Sequence, residues 1–270
     1  MEDRKKQCIG LTVALAVIGV ALLVTAFATD NWVTSSPYRA ENASATRPDS
    51  NTGNSSFGLF NGQQSLDYGT AARDFDLKVA CDASEAVCAY IFMRSDVKSK
   101  ETKLQDLIAD YKNSSSKASG TDYDQIDYGL FSFPLWLSVL IALSLAIVMG
   151  LVTVGFSIFN VFGRPIETIT GPMGLYVWNA LALFFTVLTL ALFGALFGTQ
   201  LAKNFMMFED VMIGWKSEGR TDLAYSFYLV VGAAGAFLLN FILLCLSGQE
   251  MACSYSRSGE KEIDNGMILY

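Results

Sequence analysis

Four windows without a single charged side chain constrain this sequence most: residues 9–28, 133–159, 174–198 and 223–248. Each is long enough to cross a hydrocarbon core, which takes roughly 20 residues of α-helix. A bilayer offers no water to exposed N–H and C=O groups, so a helix, which pairs its own backbone, is the natural spanning element. The rest of the composition agrees: 52% hydrophobic and 17% charged over 270 residues, with a mean hydropathy of +0.35, is too apolar for a soluble domain of this length. The expected fold is a mainly α membrane protein, a four-transmembrane-helix bundle. The spans divide the chain into a cytoplasmic tail (1–8), a first span (9–28), a large extracellular loop (29–132), a second span (133–159), a cytoplasmic hairpin (160–173), a third span (174–198), a second extracellular loop (199–222), a fourth span (223–248) and a cytoplasmic tail (249–270).

Orientation follows from Arg4, Lys5 and Lys6, which precede the first span and place the amino terminus in the cytoplasm by the positive-inside tendency. The N-x-S/T sequons at Asn42, Asn54 and Asn113 all fall in the first loop, so that loop is expected outside the cell and glycosylated. A cleavable secretory signal competes with the first span, since Ala26-Phe27-Ala28 resembles a cleavage site. Its apolar run is longer than the 7–15 residues of an ordinary signal core, which favours a retained helix. The hairpin joining the second and third spans carries Gly163, Pro165, Gly171, Pro172 and Gly174, residues that interrupt helices and permit tight turns.

The chemistry available is sparse. Histidine is absent from the sequence, which removes the commonest general base and the usual transition-metal ligand. No ionisable residue interrupts a span, no nucleotide-binding or nucleophile motif is present, and the first loop carries 15 acidic against 10 basic residues. Catalysis, cofactors, metals and nucleic-acid partners are therefore not expected.

What remains is suited to binding. Residues 74–82 alternate so that Phe75, Leu77, Val79 and Cys81 share a face, and a second strand after Ala86 makes a hairpin that brings Cys81 and Cys88 opposite each other as a disulfide. Further on, Val97, Leu104, Leu107, Ile108 and Tyr111 form a helical stripe, expected to pack on those strands or else to meet a partner. Cys8 and Cys253 are candidates for S-palmitoylation at the inner leaflet. Gly194 and Gly198 on the third span and Gly232 on the fourth are expected to allow close helix packing, with Asn179 and Asn240 hydrogen-bonding between helices at matching depth. The sequence ends Met267-Ile268-Leu269-Tyr270, and Ile268 with Tyr270 would suit the alternate pockets of a PDZ groove.

Trp32 just after the first span, Gly58-Leu59-Phe60 and the later cysteine pair resemble the superfamily of claudins, PMP22 and calcium-channel gamma subunits. That resemblance implies a claudin-like bundle crowned by a small, disulfide-containing extracellular β-sheet. A closer likeness, carried by residues 57–62, by 162–168 with 171–176, and by 237–247, is to the clarin family. It implies a non-enzymatic tetraspan organiser or adaptor in the plasma membrane of sensory cells, serving hearing, hair bundles and synapses through actin-linked or PDZ scaffolds. The alternatives are an auxiliary ion-channel subunit, as gamma-type relatives suggest, and a claudin-like junction adhesion protein.

Overall fold

A computed structural model describes residues 2–39, 52–67, 71–92, 100–116, 128–162, 172–204 and 206–266. Four of its helices contain stretches long and apolar enough to cross a bilayer: Gly10–Ala28, Phe133–Asn160, Gly174–Leu201 and Tyr225–Leu246. They belong to α1 (Glu2–Ala28), α3 (Phe133–Phe162), α4 (Pro172–Leu196, continued by a π-helical turn over Phe197–Leu201) and α6 (Tyr225–Gly266). Pro172 opens α4, where its missing N–H costs nothing because no partner precedes it. The chain clusters into two compact units, a helical one (Met1–Val24, Ser144–Val187, Val231–Tyr270) and a sheet-bearing one (Thr25–Leu143, Leu188–Val230).

In the helical unit, Ala16, Leu23, Ala146, Ala182, Ala233 and Phe237 are buried, whereas Leu11, Val148, Leu151, Val177 and Leu239 face outward. Outward apolar residues on every helix are the pattern of a bundle solvated by lipid rather than water. The close approach centres on Phe237: a Cβ added to Gly19 would stand 2.9 Å from its ring, and one added to Gly150 would stand 3.1 Å from it. The ring thus occupies the space that side chains would need on α1 and α3. The small-residue face expected on α4 is different. Nothing among the described residues lies within 4 Å of a Cβ built on Gly194 or Gly198, so neither packs against a neighbouring helix; Gly232 meets only Leu22, at an ordinary 3.4 Å. The close contact is made instead by α1, α3 and α6, through a large ring seated on two glycines.

Asn179 and Asn240 are both fully buried and meet directly. Asn240 Nδ2 donates to Asn179 Oδ1 at 2.9 Å, and Asn179 Nδ2 donates to the Phe237 carbonyl at 3.0 Å. The buried threonines solve the same problem within their own helices, Thr153 donating to the Met149 carbonyl and Thr186 to the Ala182 carbonyl.

The sheet is larger than the small one expected. It is seven-stranded and antiparallel, in the order β7-β6-β5-β4-β3-β1-β9, where β1 is Val33–Ser35, β3 Gly53–Phe57, β4 Asn61–Asp67, β5 Ala72–Asp82, β6 Val87–Phe92, β7 Phe131–Ser132 and β9 Thr221–Leu223. A separate pair joins β2 (Tyr38–Arg39) to β8 (Trp215–Lys216). Strands β8 and β9 lie between α4 and α6, so the sheet is not confined to the first loop. Its middle escaped notice because β3 and β4 turn Ser55 and Gln64 inward beside Phe57 and Leu66, which blurs the apolar alternation that marks a half-buried strand. Two further helices, α2 (Lys100–Ser116) and α5 (Phe208–Met212), complete the unit.

The asparagine pair generates an asymmetric prediction. Asn240 Oδ1 has no partner among the described residues, so Asn179→Leu strands the whole Asn240 amide, whereas Asn240→Leu leaves Asn179 bonded to the Phe237 carbonyl. Thermal unfolding in detergent micelles should show Asn179→Leu costing about 1–2 kcal/mol and Asn240→Leu markedly less. Equal losses would mean that the pair is not the governing contact.

Candidate interaction surface on the sheet unit

The motif residues found in the sequence form the frame of the sheet unit. Trp32 is 1% exposed. Its indole N–H donates to the Ala26 carbonyl at the end of α1 (2.8 Å), its backbone N–H to Phe57 at the end of β3 (2.7 Å), and its carbonyl accepts from Ala224 just before α6 (2.9 Å). The indole also lies against Phe193 of α4, with ring centroids 4.7 Å apart. A tryptophan suits this position because it fills a large apolar volume and still reaches a carbonyl with its polar edge.

Gly58-Leu59-Phe60 makes the turn between β3 and β4, in which Phe57 pairs with Gly62. Gly58 is required by crowding, because a Cβ there would stand 2.5 Å from Asp30 Cα, a backbone atom that cannot yield. The Leu59 carbonyl accepts the indole N–H of Trp136 in the first turn of α3 (2.9 Å), and Tyr90 Oη of β6 donates to the Gly58 carbonyl (2.6 Å). Burial pushes the Tyr90 phenol well above its ordinary range, with nearby Asp30 acting in the same direction, so it stays a donor throughout the physiological range. Phe60 completes the turn with edge-on contacts to Phe27 and Trp136.

Strands β5 and β6 place Cys81 directly opposite Cys88, and the two form a disulfide. The turn between them is closed by Asp82, whose carboxylate accepts the backbone N–H groups of Ser84 (2.8 Å) and Glu85 (3.3 Å). The Ser84 hydroxyl bond, followed by the Ser84 N–H, holds the Asp82 carboxyl below the usual carboxylate range. Glu85 in turn receives the Lys112 ammonium from α2 at 2.7 Å. The apolar stripe of α2 packs on these strands: Leu104 and Ile108 join Ala80, Val87, Ala89 and Ile91 in one core, with Leu107 and Tyr111 against it. Val97 lies outside the described residues.

Other sequence-derived sites are placed as follows. Asn54 on β3 and Asn113 on α2 are exposed, and Gly174 is buried in the first turn of α4. Asn42, Gly163, Pro165, Gly171, Ile268 and Tyr270 lie outside the described residues, as do the side chains of Cys8 and Cys253.

Two polar links had no sequence signal of their own. Gln64 of β4 donates to the carboxylate of Asp210 in α5 at 3.0 Å, and both are buried, tying the sheet to a small core of Leu66, Met206 and Trp215. Gln200, in the π-helical turn, accepts the N–H of Ser132 in β7, just before α3 (2.7 Å). The inward alternation of Gly62, Gln64 and Leu66 becomes visible only in the folded strand.

The motif geometry predicts opposite outcomes for two glycines. Gly58→Ala should lower stability by about 2 kcal/mol or more, because a backbone clash forces the turn open. Gly194→Ala, in an α-helix with open space around it, should be neutral or stabilising by up to ~1 kcal/mol. Thermal melts of the two variants side by side check this, and a silent Gly58→Ala would remove the turn from the frame.

A family model described as Clarin-2-like matches residues 129–244. Clarin-3 of Homo sapiens is 30% identical over 121 residues, 44% of this chain and 51% of that protein. Clarin-1 of Mus musculus is 24% identical over 130 residues, 48% of this chain and 55% of that protein, and clarin-3 of Rattus norvegicus is 40% identical over 55 residues, 20% and 24% respectively. The matches thus span about half the length of the human and mouse relatives, and less of the rat one.

Proposed function

From its likeness to the clarins, we propose that this multi-pass membrane protein is a clarin-like, non-enzymatic organiser of the plasma membrane, with both termini in the cytoplasm and the sheet unit outside. In this role its helices pack in the bilayer, the sheet unit meets partners outside, and the carboxyl-terminal tail engages PDZ or actin-linked scaffolds of sensory-cell assemblies such as hair bundles and synapses. The observation that carries the reading is the rigid mounting of the sheet. Trp32, Gly58, Leu59, Tyr90 and Trp136 are committed to hydrogen bonds that fix strands to helix ends. What is left exposed is a braced surface, and histidine, the commonest general base, is absent from the sequence. Exposed Asn54 and Asn113 are open to glycans, which supports an outside placement.

A second reading, an auxiliary subunit of an ion channel, is favoured by the open face of α4. Gly194 and Gly198 have no described neighbour within 4 Å and would let another membrane helix approach closely.

Crosslinking of the tagged full-length chain in native membranes, followed by affinity purification and mass spectrometry, separates the two. The organiser reading expects PDZ or actin-linked scaffold proteins, with capture lost when residues 267–270 are removed. A stoichiometric pore-forming protein crosslinked near Gly194 and Gly198 would replace it with the auxiliary-subunit reading. Glycosidase treatment of intact cells should also shift the chain's gel mobility, and replacing Asn42, Asn54 and Asn113 with Gln should abolish that shift. An unshifted chain whose carboxyl-terminal tag is accessible from outside would invert the topology.

A further inference from the structure

The sheet unit contains a cavity of about 560 Å³ bounded by β6, α2, residues 128–131 and the segment from the π-helical turn to α5. That volume lies in the range that takes up a drug-sized molecule. Two features of its walls specify what such a molecule would be. One side is aromatic and aliphatic: Phe92, Leu107, Tyr128 and Phe208 line it, and the Tyr128 and Phe208 rings are stacked at 3.9 Å, 8° from parallel. The other feature is charge. Asp106 and Asp110, one turn apart on α2, and Glu209 and Asp210 on α5 all line the same space. Among the described lining residues the only cation is Lys103, one charge against four carboxylates, and its ammonium is held on the cavity wall, donating to the Phe92 carbonyl at 2.7 Å and lying 5.5 Å from the centroid of the Phe92 ring.

Carboxylates beside a partly desolvated apolar wall attract a cation more strongly than the same groups in open water, because the local dielectric is lower. Asp210, only 4% exposed, already accepts the Gln64 amide, so Asp110 and Glu209 are the carboxylates the site offers a ligand. Aromatic faces add their own attraction for an ammonium group and accept an apolar body. The cavity also borders a π-helical turn over Phe197–Leu201, which contributes Gln200 and Leu201 to its lining; such turns are over-represented at binding sites.

We propose that this cavity is a binding site for a small organic ammonium compound, one positive nitrogen carried on an aromatic or alkyl body. The body lies against Leu107, Tyr128 and Phe208, and the ammonium faces the carboxylates of α2 and α5. The site is independent of the organiser role and would stand if that reading failed.

The test uses the full chain in nanodiscs of zwitterionic phosphatidylcholine, with monodansylcadaverine as the probe and N-dansyl-6-aminohexanoate as its anionic counterpart. Empty nanodiscs give the background from lipid partitioning. Saturable binding of the cationic probe, with blue-shifted dansyl emission, is expected, and the anionic probe should bind at least about tenfold more weakly. Asp110 and Glu209 are exposed, so Asp110→Asn combined with Glu209→Gln leaves the fold intact. This pair should weaken the cation about tenfold and leave the anion no weaker than before. The proposal is overturned if the cationic probe gives no saturable signal above empty discs. It is overturned equally if the two probes bind alike, or if the double variant, with an unchanged melting temperature, binds the cation as the parent does.

Discussion

Trp32 is the residue on which the sheet unit depends. It reaches the end of α1 through its indole N–H, the end of β3 through its backbone N–H and the approach to α6 through its carbonyl. A loop emerging from a helix would ordinarily leave its last carbonyls to water. Here one of them, Ala26, is occupied by a buried donor, so the exit direction of the chain is set where the helix stops. The register Val33 to Phe57 and Val33 to Leu223 follows from that fixed start, and it commits β3 and β9 to opposite sides of β1. The strands beyond β3 are then added one at a time across hairpins or returning segments.

Within the helical unit the controlling factor is shape rather than charge. Lipid offers no hydrophobic drive for one helix to prefer another, so association rests on close contact and on polar groups that cannot be left bare. Phe237 supplies the first by seating its ring on Gly19 and Gly150, and Asn179 with Asn240 supplies the second. The two features meet on α6, where Phe237 and Asn240 are three residues apart and the Phe237 carbonyl is itself an acceptor for Asn179. Packing and hydrogen bonding therefore reinforce one another at a single place, and α6 carries both.

The sheet unit divides its residues between holding and displaying. Trp32, Gly58 and Leu59 hold: they are buried, hydrogen-bonded and consumed by the contacts that mount strands on helix ends. The displaying parts are α2, the turn closed by Asp82 and the short α5, fastened by the cystine, by the Glu85–Lys112 ion pair and by the core around Leu104 and Ile108. An exposed ion pair of this kind contributes little stability, on the order of 0–1 kcal/mol, so the cystine and the apolar core do most of the fastening. The division has a functional sense, because surfaces that contact partners or ligands are free to vary when other residues carry the fold.

The sequence by itself determined the four bilayer-length helices, the Cys81–Cys88 hairpin and the stripe of α2, because each rests on local periodicity or on neighbours in the chain. Charge exclusion over a whole span survives any tertiary arrangement, and two strands joined by a four-residue turn have one register that opposes their cysteines. It also identified Asn179 and Asn240 as a pair, since matching depth in adjacent spans is a one-dimensional property. Only the tertiary structure decided that the sheet has seven strands, that β9 crosses over to pair with β1, that Phe237 finds Gly19 and Gly150, and that Gln64 meets Asp210. It likewise assembled the cavity walls from α2, β6 and α5. Those contacts join residues up to some 200 positions apart through side chains that look ordinary in sequence. A serine or glutamine turned inward is indistinguishable from one turned to solvent until its partner arrives.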